Sequence, residues 1–417
     1  MQMKKKIDRQ KIVIIIGWLV SVLFVTIYLV FYDQIYWKRL LALECIFLIA
    51  LILHIRRRED DYLKRIIGVT NAPRKYQYDH LRILAICFVI ITHAIQTDLS
   101  LGAVSDETQV YVFTVIYWIC LVCNLLYVML SGALLMPYKE EKLSVFYLRR
   151  ISKIVIPMGI YYIFYLWQNL QLGDINGEVI LNILERLFQG NTPESPHYWL
   201  MYVILSLYIV MPFFRFMFKD MPYRTLTYLV LVCILFMSIS LFVPIAFGVS
   251  TFLSSWIGVA IMGYWVTQPE TRKYDRWLMI LGIIGIAIGM IIIWQGGDFR
   301  TLCCNCSPIM CMVALGIFSF IFSGKIFAKE NIFLNILSKY SYSIILLHWW
   351  GWHYISRGLF HISSVSIGGI VLSLVVTLVS SFIVAFIIDN LLIIVFTSLF
   401  DYAVYKLLRF KENVKTD

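Results

Sequence analysis

The sequence predicts an all-α, polytopic integral membrane protein with about twelve transmembrane helices. Of its 417 residues, 60% are hydrophobic and only 15% are charged, and the mean hydropathy is +0.80. This composition excludes an ordinary soluble domain. Apolar stretches near the spanning length of about 20 residues recur along the whole chain. We expect spans near residues 11–32, 37–55, 79–97, 109–136, 149–169, 198–217, 222–242, 251–267, 276–294, 305–324, 337–357 and 364–388.

The distribution of basic residues predicts the orientation, because cytoplasmic loops hold most Lys and Arg. With alternating spans, all but five of the 36 Lys and Arg residues fall on the side of the N-terminus. The five on the opposite side are Lys38, Arg39, Arg186, Arg300 and Arg357. We therefore expect a plasma-membrane protein with both termini in the cytoplasm. The net charge of +11 then reflects topology and contact with anionic membrane lipids, and it does not indicate nucleic-acid binding.

Arg82 and His93 lie at the two ends of the apolar stretch LRILAICFVIITHA. Ionisable residues inside a membrane span are costly, and function is their default explanation. Eleven residues at about 100° each return His93 to within roughly 20° of the helix face of Arg82. The two side chains are then about 16 Å apart along the axis, with Arg82 at the cytoplasmic surface and His93 near the midplane. This spacing suits a long ligand with an anionic head and a buried reactive group, such as acyl-coenzyme A.

Other charged residues lie near the same membrane surface. Arg149 and Arg150 begin a short basic segment that either binds the phosphates of a donor or extends into lipid headgroups. Asp79, one turn before Arg82, either orients the guanidinium group or caps the helix N-terminus.

Several segments resemble the acyltransferase-3 family of integral membrane acyltransferases. The family signature of Arg, ten residues and His is present as Arg82 and His93 in YDHLRILAICFVIITHA. Further segments follow in the family's order: NLLYVMLSGALL, FYLRRISKIVIP, HYWLMYVILSLYIVMP, WIGVAIMGYW and SKYSYSIILLHWW. The resemblance covers about residues 76–400, and ten of the twelve expected spans lie in this part of the chain.

The resemblance implies transfer of an acyl group, commonly acetyl, from cytoplasmic acyl-coenzyme A to a glycan, lipid-linked sugar or other cell-envelope acceptor outside. It also implies a catalytic role for His93 and a role in donor use for Arg82. We expect no bound cofactor, since acyl-coenzyme A is a substrate. A midplane imidazole either acts as a general base on the acceptor hydroxyl or carries the acyl group transiently as a nucleophile.

Three more residues are candidates for supporting roles. His348 lies nine residues after Lys339, at a depth similar to that of His93, and either faces the same site or hydrogen-bonds to another helix. Ser131 fits close helix packing first and substrate contact second. Trp199 is more typical of an interfacial aromatic belt than of a substrate platform.

We divide the chain into two N-terminal helices with a charged linker (1–75), the acyltransferase-3-like membrane domain (76–400) and a cytoplasmic tail (401–417). Between the spans, the loop near 170–197 contains the amphipathic segment VILNILERLF, which we expect along the outer membrane surface or over a cleft. Cys303, Cys304 and Cys306 cluster in another loop, where a disulfide is an open alternative. We predict no metal site, because CCNC lacks the paired spacing of a zinc site.

Two other functions remain open at this stage. Twelve helices with intramembrane charges also suit a secondary transporter or exporter of a small or lipid-linked molecule. However, the two halves show neither mutual similarity nor matching Gly/Pro-broken helices. A non-catalytic membrane partner of a glycan-synthesis complex is the second alternative.

Overall fold

The computed structural model describes residues 75–169, 177–242 and 254–413, together with residues 44–50 and the single positions 19, 22, 23, 26, 52 and 53. The described chain is helical throughout and contains no strand. Its α-helices are α1 (Tyr76–Ser100), α2 (Glu107–Cys120), α3 (Cys123–Leu135), α4 (Leu143–Arg150), α5 (Ile156–Gln168), α6 (Gly177–Gln189), α7 (Trp199–Phe218), α8 (Tyr223–Phe242), α9 (Trp256–Val266), α10 (Asp275–Trp294), α11 (Phe299–Cys303), α12 (Pro308–Ser323), α13 (Ile332–Lys339), α14 (Ser341–Trp350), α15 (Ile367–Ile388) and α16 (Ile394–Asn413).

Six helical segments in the described part of the chain are long and apolar enough to cross a membrane. They are Tyr76–Ser100, Glu107–Leu135, Pro196–Phe218, Tyr223–Phe242, Pro269–Trp294 and Ile367–Val404. The helices α9 and α12 are apolar but shorter. The all-helical membrane fold is therefore confirmed, whereas the count of twelve spans is not. The first two expected spans, 11–32 and 37–55, lie largely outside the described residues.

Helices α3 and α9 cross with almost no space between their backbones. A Cβ atom added to Gly132 would lie 1.9 Å from the Ala260 carbonyl oxygen, and one added to Gly263 would lie 2.0 Å from that of Met129. Without a hydrophobic driving force between helices in lipid, close backbone contact of this kind is a main source of association. The crossing places Gly132, the residue after Ser131, in close packing between the two helices.

Helices α1 and α13–α14 run side by side in the same direction. Near the start of α1, Arg82 contacts Ser338, and towards its end His93 stacks on His348. The sequence analysis placed these two segments third and eleventh among the spans, both directed outward, which agrees with the parallel contact. The pairing brings both ends of the α1 motif against one neighbouring helical segment.

The hydroxyl group of Tyr165, on α5, bonds to the backbone of the helix that carries His348. It donates to the Leu346 carbonyl (2.9 Å) and accepts from the Trp350 N–H (3.2 Å), the two groups that would pair with each other in a regular α-helix. From Gly351 to Leu359 the chain continues as a π-helix. A side chain inserted into the hydrogen-bond ladder is a recognised cause of such distortion, and π-segments often occur at functional sites.

The amphipathic segment in the loop after α5 forms helix α6, which has no buried residue. Its apolar side chains include Leu181 and Phe188, of which Phe188 is 92% exposed. Two contacts attach it to the start of the next span: Arg186 pairs with Glu194 at 2.7 Å, and Tyr202 donates to the Leu187 carbonyl at 2.7 Å.

The α3–α9 crossing predicts that a methyl group at Gly132 is costly. In Gly132→Ala the two backbones must separate, and we expect a loss of about 1–3 kcal/mol in stability. The matched control is Gly159→Ala on α5, where an added Cβ meets nothing within 4 Å. There, better helix propensity adds about 0.5–1 kcal/mol. The apparent melting temperature in detergent checks both variants, and equal shifts would contradict the packing argument.

The insertion of Tyr165 predicts an unusually large effect for the loss of one hydroxyl group. Tyr165→Phe removes two hydrogen bonds to the backbone of α14, one with the Leu346 carbonyl and one with the Trp350 N–H, and we expect a cost of about 1–3 kcal/mol. Tyr111→Phe is the control, since it removes one long bond of 3.3 Å to the Met290 carbonyl, worth less than about 1 kcal/mol. Thermal unfolding in detergent compares the two variants. A Tyr165→Phe protein as stable as the control would contradict this prediction and show that the two hydrogen bonds add no net stability.

Candidate active site

One end of the site, here called the arginine end, consists of Asp79, Arg82 and Ser338. Arg82 Nη1 donates to Asp79 Oδ1 at 3.1 Å and to the Ser338 hydroxyl at 3.2 Å, and that hydroxyl donates to Asp79 Oδ1 at 2.5 Å. Asp79 is buried, while the Arg82 side chain keeps 29% of its surface exposed. The N-cap of α1 is Lys75, so Asp79 orients the guanidinium group and is not a cap.

The guanidinium group of Arg82 keeps donor capacity for a ligand. Both of its side-chain contacts within the described structure use Nη1, which leaves Nη2 and Nε without a side-chain partner there. A guanidinium group with free donors binds phosphate or carboxylate oxygens well.

The two basic residues at the end of α4, Arg149 and Arg150, have different surroundings. The guanidinium carbon of Arg150 lies 4.7 Å from the ring centre of Phe146 and 5.5 Å from that of Tyr208. Arg149 is 56% exposed and pairs with Glu141 at 2.6 Å. Arg150 is therefore packed among aromatic rings, whereas Arg149 lies at the surface.

The other end, here called the histidine cluster, consists of His93, His197 and His348. The rings of His93 and His348 stack with centres 5.2 Å apart, and the His197 ring meets that of His348 edge-on at 4.7 Å. Trp349 and Trp352 pack around His93, with ring centres 5.2 and 6.3 Å from its own. The three imidazole rings thus meet in one aromatic environment. They come from α1, from the 3-10 turn just before α7, and from α14.

Two of these rings are anchored to backbone carbonyl groups. His348 Nδ1 lies 2.6 Å from the Ile345 carbonyl oxygen, and His197 Nε2 lies 3.0 Å from that of Leu346. The Leu346 carbonyl oxygen also accepts from the Tyr165 hydroxyl group, so one carbonyl group contacts both side chains. The predicted hydrogen bond from His348 to another helix is absent from the described contacts, since its ring bonds within its own helix.

The remaining predicted residues lie apart from the histidine cluster. Ser131 donates to the Tyr127 carbonyl within α3 and lies beside Tyr208, on the side of the arginine end. Trp199 is 43% exposed and packs against Trp256, and its ring has no described contact with the three histidines. The environment of Trp199 is that of a peripheral aromatic residue.

The sequence analysis missed His197, although it precedes Trp199 by only two residues. The sequence evidence for His197 was weak, because a histidine at the start of a span is most simply explained as a residue at the membrane interface. It also missed Asp98, near the end of α1, which pairs with Arg357 at 2.8 Å and accepts from the Ser364 N–H. The available sequence signal was an acidic residue at the end of an apolar span, on the side of the membrane where Arg357 was also expected. This pair ties the end of α1 to the π-segment after α14.

The cysteines and the acidic residues indicate no further site. All nine cysteines are free, so the clustered Cys303, Cys304 and Cys306 form no disulfide. Within the described ranges, no three His, Cys, Asp or Glu side chains are arranged to hold a metal ion.

The two ends together can bind an anion at one point and move a proton at another. They are separated by eleven residues on one face of α1, which corresponds to about 16 Å. His93 lies in the last third of α1. The arginine end offers guanidinium donors, and the histidine cluster offers imidazole nitrogens in a site lined by tryptophan rings.

Comparison with known proteins identifies the family. No curated protein matches the chain, and no solved structure matches it. A family model described as an acyltransferase domain, that of the acyltransferase-3 group, matches residues 75–388. This match covers most of the chain, including Arg82, all three members of the histidine cluster and the helices α1, α13 and α14. The chain therefore belongs to the acyltransferase-3 family of membrane acyltransferases.

Proposed function

We propose that this protein moves an acyl group, most simply acetyl, from cytoplasmic acyl-coenzyme A to a hydroxyl group of a glycan, lipid-linked sugar or other cell-envelope acceptor outside. The observation that carries the proposal is the two-ended pairing of α1 with α13–α14. It holds an anion-binding group and a proton-accepting group about 16 Å apart beside the same neighbouring helical segment. Membership of an acyltransferase family supports the reaction class.

In this proposal the donor lies along α1 with its phosphates at the arginine end. Arg82, oriented by Asp79 and Ser338, contacts the phosphates directly. Arg150 adds positive charge from the end of α4, where it packs against Tyr208. Arg149 is exposed and engages the phosphates only by releasing Glu141.

His93 acts in this proposal as the general base. It takes the proton of the acceptor hydroxyl as the hydroxyl oxygen bonds to the thioester carbonyl carbon. The carbon–sulfur bond then breaks, its electron pair leaves with sulfur, and the proton passes from His93 to the thiolate. The products are an acyl ester and free coenzyme A. The surrounding tryptophan rings exclude water, which would otherwise compete with the acceptor for the thioester.

The proposed orientation places the arginine end at the cytoplasmic surface, where the donor is made, and the histidine cluster towards the outside. It rests on the excess of basic residues on the side of the N-terminus. Both termini are then cytoplasmic, and the protein lies in the plasma membrane. Lipids contact its exposed apolar faces, such as that of α6.

The proposal predicts different defects at the two ends of α1. Arg82→Ala should weaken acetyl-coenzyme A binding by about 10- to 100-fold, because it removes charge-assisted hydrogen bonds to phosphate. His93→Ala should abolish transfer with the donor still bound. Arg300→Ala, at an exposed arginine of the short helix α11, is the control and should behave as native. The measurements are the donor Kd of purified protein and the transfer of label from acetyl-coenzyme A into the envelope glycan fraction in membrane vesicles.

Two results would contradict this proposal. Equal loss of donor binding in Arg82→Ala and His93→Ala would overturn the division of roles between the two ends. Absence of transfer by the native chain with acetyl-coenzyme A and with several other acyl donors would favour the transporter alternative instead.

A further inference from the structure

The hydrogen bonds of His197 and His348 determine which nitrogen of each ring carries the proton. A carbonyl oxygen can only accept, so the ring nitrogen that faces it must donate. His348 therefore donates from Nδ1 to Ile345, and His197 donates from Nε2 to Leu346. In a neutral imidazole the other nitrogen has no hydrogen and is an acceptor. The acceptor atoms are thus His348 Nε2 and His197 Nδ1.

Both acceptor atoms are buried and have no hydrogen-bond partner among the described residues. His348 is 1% exposed and His197 is 7% exposed, and their rings meet edge-on beside His93. Buried polar atoms in proteins are nearly always paired, so two unpaired acceptors in one place require an explanation. Neither atom is needed for packing, because each ring is already held through its other nitrogen.

We propose that His348 Nε2 and His197 Nδ1 form the site that receives a hydrogen-bond donor group of the acyl acceptor beside His93. The inference rests on the proposed acyl transfer and names two residues that contact the acceptor. Because both atoms are acceptors, the site suits O–H or N–H groups and rejects carboxylate, phosphate and carbonyl oxygens. It selects an acceptor with hydroxyl or amino groups and holds it where His93 can take the proton.

The chemistry of the two rings allows variants that separate this role from a structural one. Gln at 197 can keep the donor bond to Leu346 with its amide N–H, but it has no acceptor at the Nδ1 position. Asn at 348 can likewise keep the bond to Ile345 and has no acceptor at the Nε2 position. His197→Asn and His348→Gln do the reverse, since each places an amide oxygen near the acceptor position and loses the bond to the carbonyl.

The test measures acceptor KM and donor Kd in these four variants, with labelled acetyl-coenzyme A as donor and the extracted envelope glycan fraction, varied in concentration, as acceptor. His197→Gln and His348→Asn should each raise the acceptor KM about tenfold, the effect of one lost hydrogen bond, and leave the donor Kd unchanged. His197→Asn and His348→Gln should recover most of the acceptor affinity. His361→Gln, at an exposed histidine, is the control. If the acceptor KM instead rises only in His197→Asn and His348→Gln, which lose the carbonyl bonds, the role of the two rings is structural and the inference is overturned.

A second measurement tests this inference without relying on acyl transfer. If the native chain transfers no acyl group, that result counts against the proposed function alone. Nitrogen NMR of histidine-labelled protein in lipid nanodiscs should show unprotonated His348 Nε2 and His197 Nδ1, assigned from His348→Asn and His197→Gln. Glycerol should shift both signals, and 1,2,3-trimethoxypropane, which has no O–H group, should shift neither. Protonation of either nitrogen would overturn the inference. So would an absence of response to glycerol, since a resident water would then account for both acceptors.

Discussion

The site depends on the parallel contact between α1 and α13–α14. Ionised and polar side chains are costly inside a membrane, and each must find a partner there or line a site. At one end of the contact the partners are Asp79, Arg82 and Ser338, which form three hydrogen bonds with one another. At the other end His93 stacks on His348. Because both ends are tied to one neighbouring helical segment, their separation is set by the rigid rise of an α-helix.

The histidine cluster in turn depends on side-chain contacts with the backbone of α14. The Tyr165 hydroxyl accepts from the Trp350 N–H and donates to the Leu346 carbonyl, which also faces His197 Nε2. The backbone of α14 therefore connects α5 with the turn that precedes α7. The result is a pair of imidazoles whose protonated nitrogens are assigned by the backbone.

The sequence was sufficient for features that depend on local spacing. The eleven-residue interval predicted that Arg82 and His93 share a helix face, and the three-residue interval predicted the contact of Asp79 with Arg82. It was insufficient for contacts between distant segments. His197 lies more than 100 residues from both other histidines, and only the tertiary fold brings the three together. The count of twelve spans is not confirmed, because the first two expected spans lie largely outside the described residues and the expected spans at α9 and α12 form short apolar helices.

The central claim is that one donor molecule reaches from the arginine end to the histidine cluster along α1. The most direct test is a cryo-EM structure of the native protein in nanodiscs with a non-transferable thioether analogue of acetyl-coenzyme A. The account predicts phosphates in contact with Arg82 Nη2 or Nε and the acetyl carbonyl carbon beside the His93 ring. An analogue bound away from α1, or one with its acetyl group far from His93, would contradict the account.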